Sequence, residues 1–157
     1  MSVTFHHEFL LPDPDATAAL GTLIGPLLRA GDALLLSGDI GAGKTHFARA
    51  SILSRLPIPE PVPSPTFTLV QVYETGTTEI WHADLYRLTG PDGCVELGLD
   101  QAFDDAICLI EWPDRLGDLT PENALHLDFA ATEQDQRRVT LHATSGTWAQ
   151  RLAKLFS

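Results

Sequence analysis

The chain has 157 residues, with 10 Lys and Arg against 21 Asp and Glu, a formal net charge of −11. That length suits one domain over residues 1–157, large enough to bury a core without disulfide or metal staples. The 44 % hydrophobic and 20 % charged fractions exclude wholesale disorder. The acidity argues against unaided binding to a nucleic-acid backbone, which takes clustered Lys and Arg. Lys44 and Lys154 are the only lysines. Cys94 and Cys108 have neither C-x-x-C pairing nor spaced His ligands, and so read as reduced thiols. Residues 1–7 lack a basic region followed by a long apolar run. No stretch approaches the roughly 18 apolar residues of a membrane helix. The expectation is a cytoplasmic protein without leader or membrane span.

In chain order, residues 5–10 read as a short edge strand. Pro12-Asp13-Pro14-Asp15 reads as a turn with Asp15 as helix N-cap. Residues 16–29 carry Ala19, Leu20, Leu23, Leu27 and Leu28 at helical spacing, with Gly25-Pro26 shortening the helix. Ala33-Leu34-Leu35-Leu36 is an apolar run suited to a strand buried on both faces. A glycine-rich turn follows, then a helix over 45–56. Prolines at 57, 59, 61, 63 and 65 make that segment an extended surface connection. Residues 67–73 and 78–82 are strand candidates around the turn Glu74-Thr75-Gly76-Thr77. Ile107-Cys108-Leu109-Ile110 is a second buried run. Residues 124–129 and 138–143 alternate apolar and polar, and 147–156 closes as a helix with Trp148, Leu152 and Leu155 inward. Buried strands interleaved with helices, then alternating strands, give a single α/β domain. Its sheet is mixed and mostly parallel, flanked by helices, with antiparallel C-terminal strands.

Gly38-Asp39-Ile40-Gly41-Ala42-Gly43-Lys44-Thr45 matches the phosphate-binding pattern G-x-x-x-x-G-K-S/T, with a buried strand before it and a helix after it. Glycines let backbone N–H groups curl into an anion nest, and the helix N-terminus adds its partial positive charge. Lys44 supplies a full charge to the outer phosphates, and the Thr45 hydroxyl suits Mg²⁺. A nucleotide hydrolase also needs a carboxylate near the metal and a group that orients water. Asp84 and Glu111 each end an apolar strand, where an acid emerges at the ligand edge of a parallel sheet. Thr66, in Ser64-Pro65-Thr66-Phe67-Thr68, falls where switch-like loops lie, and is otherwise a turn into a strand. Trp112 either stacks on a base or packs the core, packing being the more usual fate. His82 reads as structural.

Neither lysine sits in the Asn/Thr-Lys-x-Asp motif that reads guanine, so a GTPase is excluded. A small-molecule kinase would bring a lid bearing arginines, whereas here the arginines are scattered. A nucleotide-gated binding module with little turnover is the third class.

The phosphate loop, then Ser64-Pro65-Thr66-Phe67-Thr68-Leu69-Val70, His82-Ala83-Asp84-Leu85-Tyr86-Arg87-Leu88, Leu97-Gly98 and Ile110-Glu111-Trp112-Pro113, occur in the order of the TsaE family, which this chain resembles. That family is the ATPase component of bacterial tRNA threonylcarbamoyladenosine biosynthesis. The resemblance implies a P-loop α/β fold that binds ATP and Mg²⁺ and hydrolyses ATP slowly to ADP. It implies docking on the TsaB–TsaD heterodimer, whose TsaD modifies adenosine 37, so that tRNA is met only through that complex. The ATP cycle would reset the complex between turnovers. By the same resemblance Ile40, Gly41, Ala42, Gly43, Lys44 and Thr45 would hold the phosphates, and Thr45 and Glu111 the Mg²⁺. Asp84 would serve hydrolysis by orienting water, Trp112 would lie beside the nucleotide, and Thr66 would belong to the switch-like loop. His46 stands where the family has a second Thr. Arg137 or Arg138 is a candidate to approach the nucleotide.

Overall fold

The computed structural model describes residues 5–39, 41, 43–132, 134 and 136–155. Its centre is set by the two apolar runs. Strand β2 (Ala33–Ser37) pairs in parallel with β5 (Ile107–Glu111), Ala33 facing Cys108 and Leu36 facing Glu111. Strands with no polar face can only sit inside a sheet covered on both sides. The side chains then alternate. Leu34, Leu36, Ile107 and Leu109 join one apolar cluster, while Ala33, Leu35, Cys108 and Ile110 join the other.

The full sheet has seven strands in the order β1-β7-β6-β2-β5-β4-β3, with β1 Phe5–Leu11, β3 Val70–Glu74, β4 Glu79–Asp84, β6 Leu125–Ala131 and β7 Arg137–Ala143. The four central strands run parallel. β3 joins antiparallel at one edge, and β7 and then β1 extend the other edge antiparallel. This is the mixed α/β sheet expected from the patterning, with β1 at an edge.

Helices α1 (Pro14–Ile24), α2 (Lys44–Leu53) and α5 (Thr147–Arg151) supply Leu20, Ile24, Phe47, Ile52 and Trp148 to the first cluster. Helices α3 (Pro91–Glu96) and α4 (Leu99–Asp105) supply Cys94, Leu99 and Ala102 to the second. Both cysteines are free and buried, and burial pushes the Cys108 thiol up to about 12.

Several boundaries differ from the sequence reading. The N-cap of α1 is Asp13, whose Oδ1 accepts the Ala16 N–H at 2.8 Å, rather than Asp15. Pro14 explains the shift, because its fixed φ and missing N–H suit the first helical position. Leu23 is exposed, and Gly25–Leu27 continues α1 as a single 3-10 turn. β3 starts at Val70 rather than Phe67, because Leu69 adopts φ +69° and donates its N–H to Pro65 O. The proline segment carries no helix or strand, and is tied down where the Arg49 guanidinium donates to Val62 O.

At the N-terminal end of β2, Asp32 accepts from Arg151 Nη1 at 2.9 Å and Nη2 at 2.5 Å, and from the Arg29 N–H at 2.6 Å. This pair pins the C-terminal helix beneath the sheet, with the guanidinium also over the Trp148 ring. Removing one partner strands a desolvated charge. Arg151→Ala is therefore expected to cost about 2 kcal/mol, lowering Tm by roughly 5 °C. Thermal denaturation checks this.

Candidate functional site

The site forms where the carboxyl ends of β2, β5 and β4 meet, the edge at which open parallel sheets take ligands. β2 ends in the glycine loop. Gly38 (φ +139°), Gly41 (φ +83°) and Gly43 (φ +108°) hold it in left-handed backbone, and Gly43 caps α2. At Gly38 a Cβ would stand 2.4 Å from Phe129 O, so only glycine lets β6 and the loop approach. Ile40 and Ala42 lie outside the described residues.

Lys44 begins α2 and is buried. Its ammonium donates to Gly38 O at 2.5 Å and lies 3.6 Å from the centre of the Trp112 ring. Burial pushes its pKa down, against the upward pull of Glu111, Asp84, Asp39 and Asp114. An ammonium in the first turn of α2, beside the glycine loop, is placed to meet an anion at the helix N-terminus.

The two strand-end acids are register partners, Asp84 on β4 opposite Glu111 on β5, and both are buried. Thr45 Oγ1 donates to Glu111 at 2.8 Å (Oε1) and 2.9 Å (Oε2). His82 Nε2 meets Glu111 Oε2 at 2.7 Å. Asp84 Oδ1 accepts the Tyr86 N–H at 3.0 Å, and Oδ2 accepts from Thr66 Oγ1 at 3.2 Å. The phosphate loop, both acids and the loop carrying Thr66 thus share one cleft. Trp112 packs against the second apolar cluster and also lines the cleft. Its backbone is left-handed (φ +60°, ψ +56°), which turns the half-buried ring onto Lys44 and to 4.8 Å from Tyr86.

The cleft measures about 500 Å³, and its lining also includes His46, which stands at the family's second Thr, and Tyr86 and Arg49, two residues to which the sequence reading gave no site role. Helical spacing from Thr45 was the available signal for Arg49, four residues on. A second cleft of about 270 Å³ adjoins across the loop, sharing Gly41, Gly43 and His46 and adding Leu11, Asp13, Thr17 and Arg137. The two candidate arginines reach different places. Arg137 Nη2 donates to Gly41 O at 3.1 Å, whereas Arg138 pairs with Glu8 at 3.1 Å.

Thr45 and Glu111 present oxygen donors, the kind Mg²⁺ accepts, to be completed by phosphate oxygens and water. Among the described residues no group of three or more His, Cys, Asp or Glu side chains forms a protein cage for a metal. None of their helices is long and apolar enough to cross a membrane.

Residues 11–139 match the family model described as "Threonylcarbamoyl adenosine biosynthesis protein TsaE". The chain belongs to the TsaE family. Its place is therefore in tRNA threonylcarbamoyladenosine biosynthesis. Similar family members include the TsaE of Bacillus subtilis (strain 168), 34% identical over 137 residues, covering 87% of this chain and 85% of that protein. The Nostoc TsaE is 38% identical over 121 residues, 74% of each chain. The crystal structure of Bacillus subtilis YdiB superposes with a TM-score of 0.82 at 28% identity, over 99% of this chain and 96% of that one. The TsaE match reaches residue 139, past the five ordered motifs and into β7, so the C-terminal strands share in the likeness.

Proposed function

We propose that this TsaE-family chain is a slow ATPase that binds ATP with Mg²⁺ in the cleft and acts, in the cytoplasm, on the TsaB–TsaD heterodimer, resetting it between turnovers. It does not itself transfer the threonylcarbamoyl group, and it meets tRNA only through that complex. The observation that carries the reading is the Glu111 carboxylate held against Thr45 and beside Asp84, at the mouth of a glycine loop followed by the buried Lys44.

In this reading the backbone N–H groups of residues 40–45 and the Lys44 ammonium hold the phosphates. The Thr45 hydroxyl keeps its proton on Glu111 and offers its lone pairs to the cleft. Bound Mg²⁺ supplies neutralisation of charge on the outer phosphate oxygens. Asp84, its carboxylate set by Tyr86 and Thr66, orients the attacking water. Trp112 walls the phosphate side. The second cleft, on the far side of Gly41 and Gly43, takes the nucleoside. No arginine finger from this chain is assigned, which fits slow turnover until a partner docks.

The test follows labelled γ-phosphate with and without purified TsaB–TsaD. Release as inorganic phosphate, altered by the complex, is the expected result. Transfer to a metabolite would indicate a kinase instead, and binding without any change in hydrolysis a nucleotide-gated module. The second cleft makes a separate prediction. Arg137→Ala should weaken ATP binding about fivefold, the loss of roughly one net hydrogen bond. Arg138→Ala should leave it unchanged. Equilibrium titration of both variants checks this.

A further inference from the structure

We propose that His82 is a positioning residue for Glu111, holding the carboxylate plane on Thr45 so that the metal side of the cleft is already arranged before nucleotide arrives. The inference rests on the reading of the cleft as an ATP–Mg²⁺ site. His82 lies on β4 two residues before Asp84, so the two side chains share one face of the strand. The register pairs His82 with Leu109 and Asp84 with Glu111, which makes His82 the diagonal neighbour of Glu111.

The imidazole is fully buried, at 0% exposure. Its Nε2 stands 2.7 Å from Glu111 Oε2. An ionised carboxylate only accepts, so the hydrogen bond assigns the proton to Nε2. Nδ1 is buried and has no hydrogen-bond partner among the described residues. That orphan nitrogen has a cost, because a buried polar atom has lost its water. The surrounding strand positions Ile80, Ala83, Leu109 and Ile110 are apolar and buried, and an apolar residue at position 82 would carry no such cost. The only hydrogen bond the His82 side chain makes among the described residues is to Glu111.

The effect on Glu111 is specific. Thr45 donates to both carboxylate oxygens from a single hydroxyl, which leaves the carboxylate plane free to rock about that point. A second donor from the opposite strand, on Oε2 alone, fixes the plane. Partners of this kind behind metal-binding carboxylates change metal affinity by about tenfold to a hundredfold when removed.

The experiment measures ATP binding to the full chain by calorimetry, in Mg²⁺ and in EDTA, with thermal melting alongside. His82→Gln keeps an amide N–H near the Nε2 position, whereas His82→Asn places it near Nδ1. The expected result is that His82→Asn loses about tenfold to a hundredfold of the Mg²⁺-dependent gain at unchanged affinity in EDTA. His82→Gln should retain most of the gain. If Gln and Asn behave alike, whether both keep the gain, both lose it or both melt early, the assignment is overturned. If the unmodified chain binds ATP with no gain from Mg²⁺, the metal reading of Thr45 and Glu111 fails first. A normal gain in the unmodified chain confines any failure to His82.

Discussion

Lys44→Ala is expected to weaken ATP binding by about 3 kcal/mol or more, roughly a hundredfold or beyond, with no loss of thermal stability. The two halves of that expectation have one cause. The Lys44 ammonium is buried, and desolvation pushes its pKa down despite four carboxylates pulling it up. In the nucleotide-free protein the charge is held at a cost. Its contacts there, the Gly38 carbonyl and the Trp112 ring, offset only part of that cost. Alanine removes the contacts and the desolvation together, so the melting temperature holds or rises. A bound triphosphate reverses the balance, because the ammonium then makes charge-assisted bonds in a water-poor cleft. Lys44→Arg should rescue poorly, since a longer, planar guanidinium replaces the compact ammonium that donates to Gly38 O over the indole. Calorimetric titration with ATP, paired with a melting curve, separates the two effects. Wild-type affinity in Lys44→Ala would remove the phosphates from this loop.

The parts of this molecule legible in the sequence are those written in local pattern. Leu34 to Leu36 and Ile107 to Ile110 have no polar face, so they had to be central, and they are. The glycine loop carries its chemistry in eight consecutive residues. The two helices over the second cluster, α3 and α4, are only six and seven residues long, too short for a 3.6-residue period to show. Long-range register was also out of reach. Sequence placed Asp84 and Glu111 at strand ends, but only the pairing of β4 with β5 makes them neighbours. Alternation in β7 says that Arg137 and Arg138 point to opposite faces. Which face meets Gly41 depends on where β7 sits in the sheet. His82 was hidden for the same reason. A histidine in an apolar strand reads as core until the diagonal across β5 puts a carboxylate on it.

The charge distribution sharpens too. Between residues 92 and 118 stand eight acids and one base, Arg115. Glu111 is withdrawn into the cleft and Asp114 pairs with Arg115. Asp92, Glu96, Asp100, Asp104, Asp105 and Asp118 remain exposed on and beyond α3 and α4, over the second cluster. A solvated face of one sign repels polyanions and steers basic protein surfaces. That is consistent with a protein that serves tRNA modification through a protein partner.

The two carboxylates should separate cleanly under substitution, although they sit side by side. Glu111→Gln is expected to lower ATP turnover by about 10²- to 10³-fold and to erase the strengthening of ATP binding by Mg²⁺. Both neighbours of Glu111 donate to it, Thr45 from its hydroxyl and His82 from Nε2. A glutamine amide carries no charge, and it keeps the His82 N–H on its oxygen only by turning its N–H₂ onto the Thr45 hydroxyl, which must then accept and has one lone pair fewer for the cleft. Asp84→Asn behaves differently. Its amide oxygen can still accept the Tyr86 N–H, and its N–H₂ meets the Thr66 hydroxyl, which can accept. The fold and the Mg²⁺-dependent binding therefore survive, while the negative charge that orients water is gone, and turnover should fall about a hundredfold. Phosphate release at saturating ATP, together with binding in Mg²⁺ and in EDTA, reads all of these quantities. Unchanged turnover in both variants would take the pair out of hydrolysis. An equal loss of Mg²⁺-dependent binding in both would show that Asp84 belongs to the metal rather than to the water.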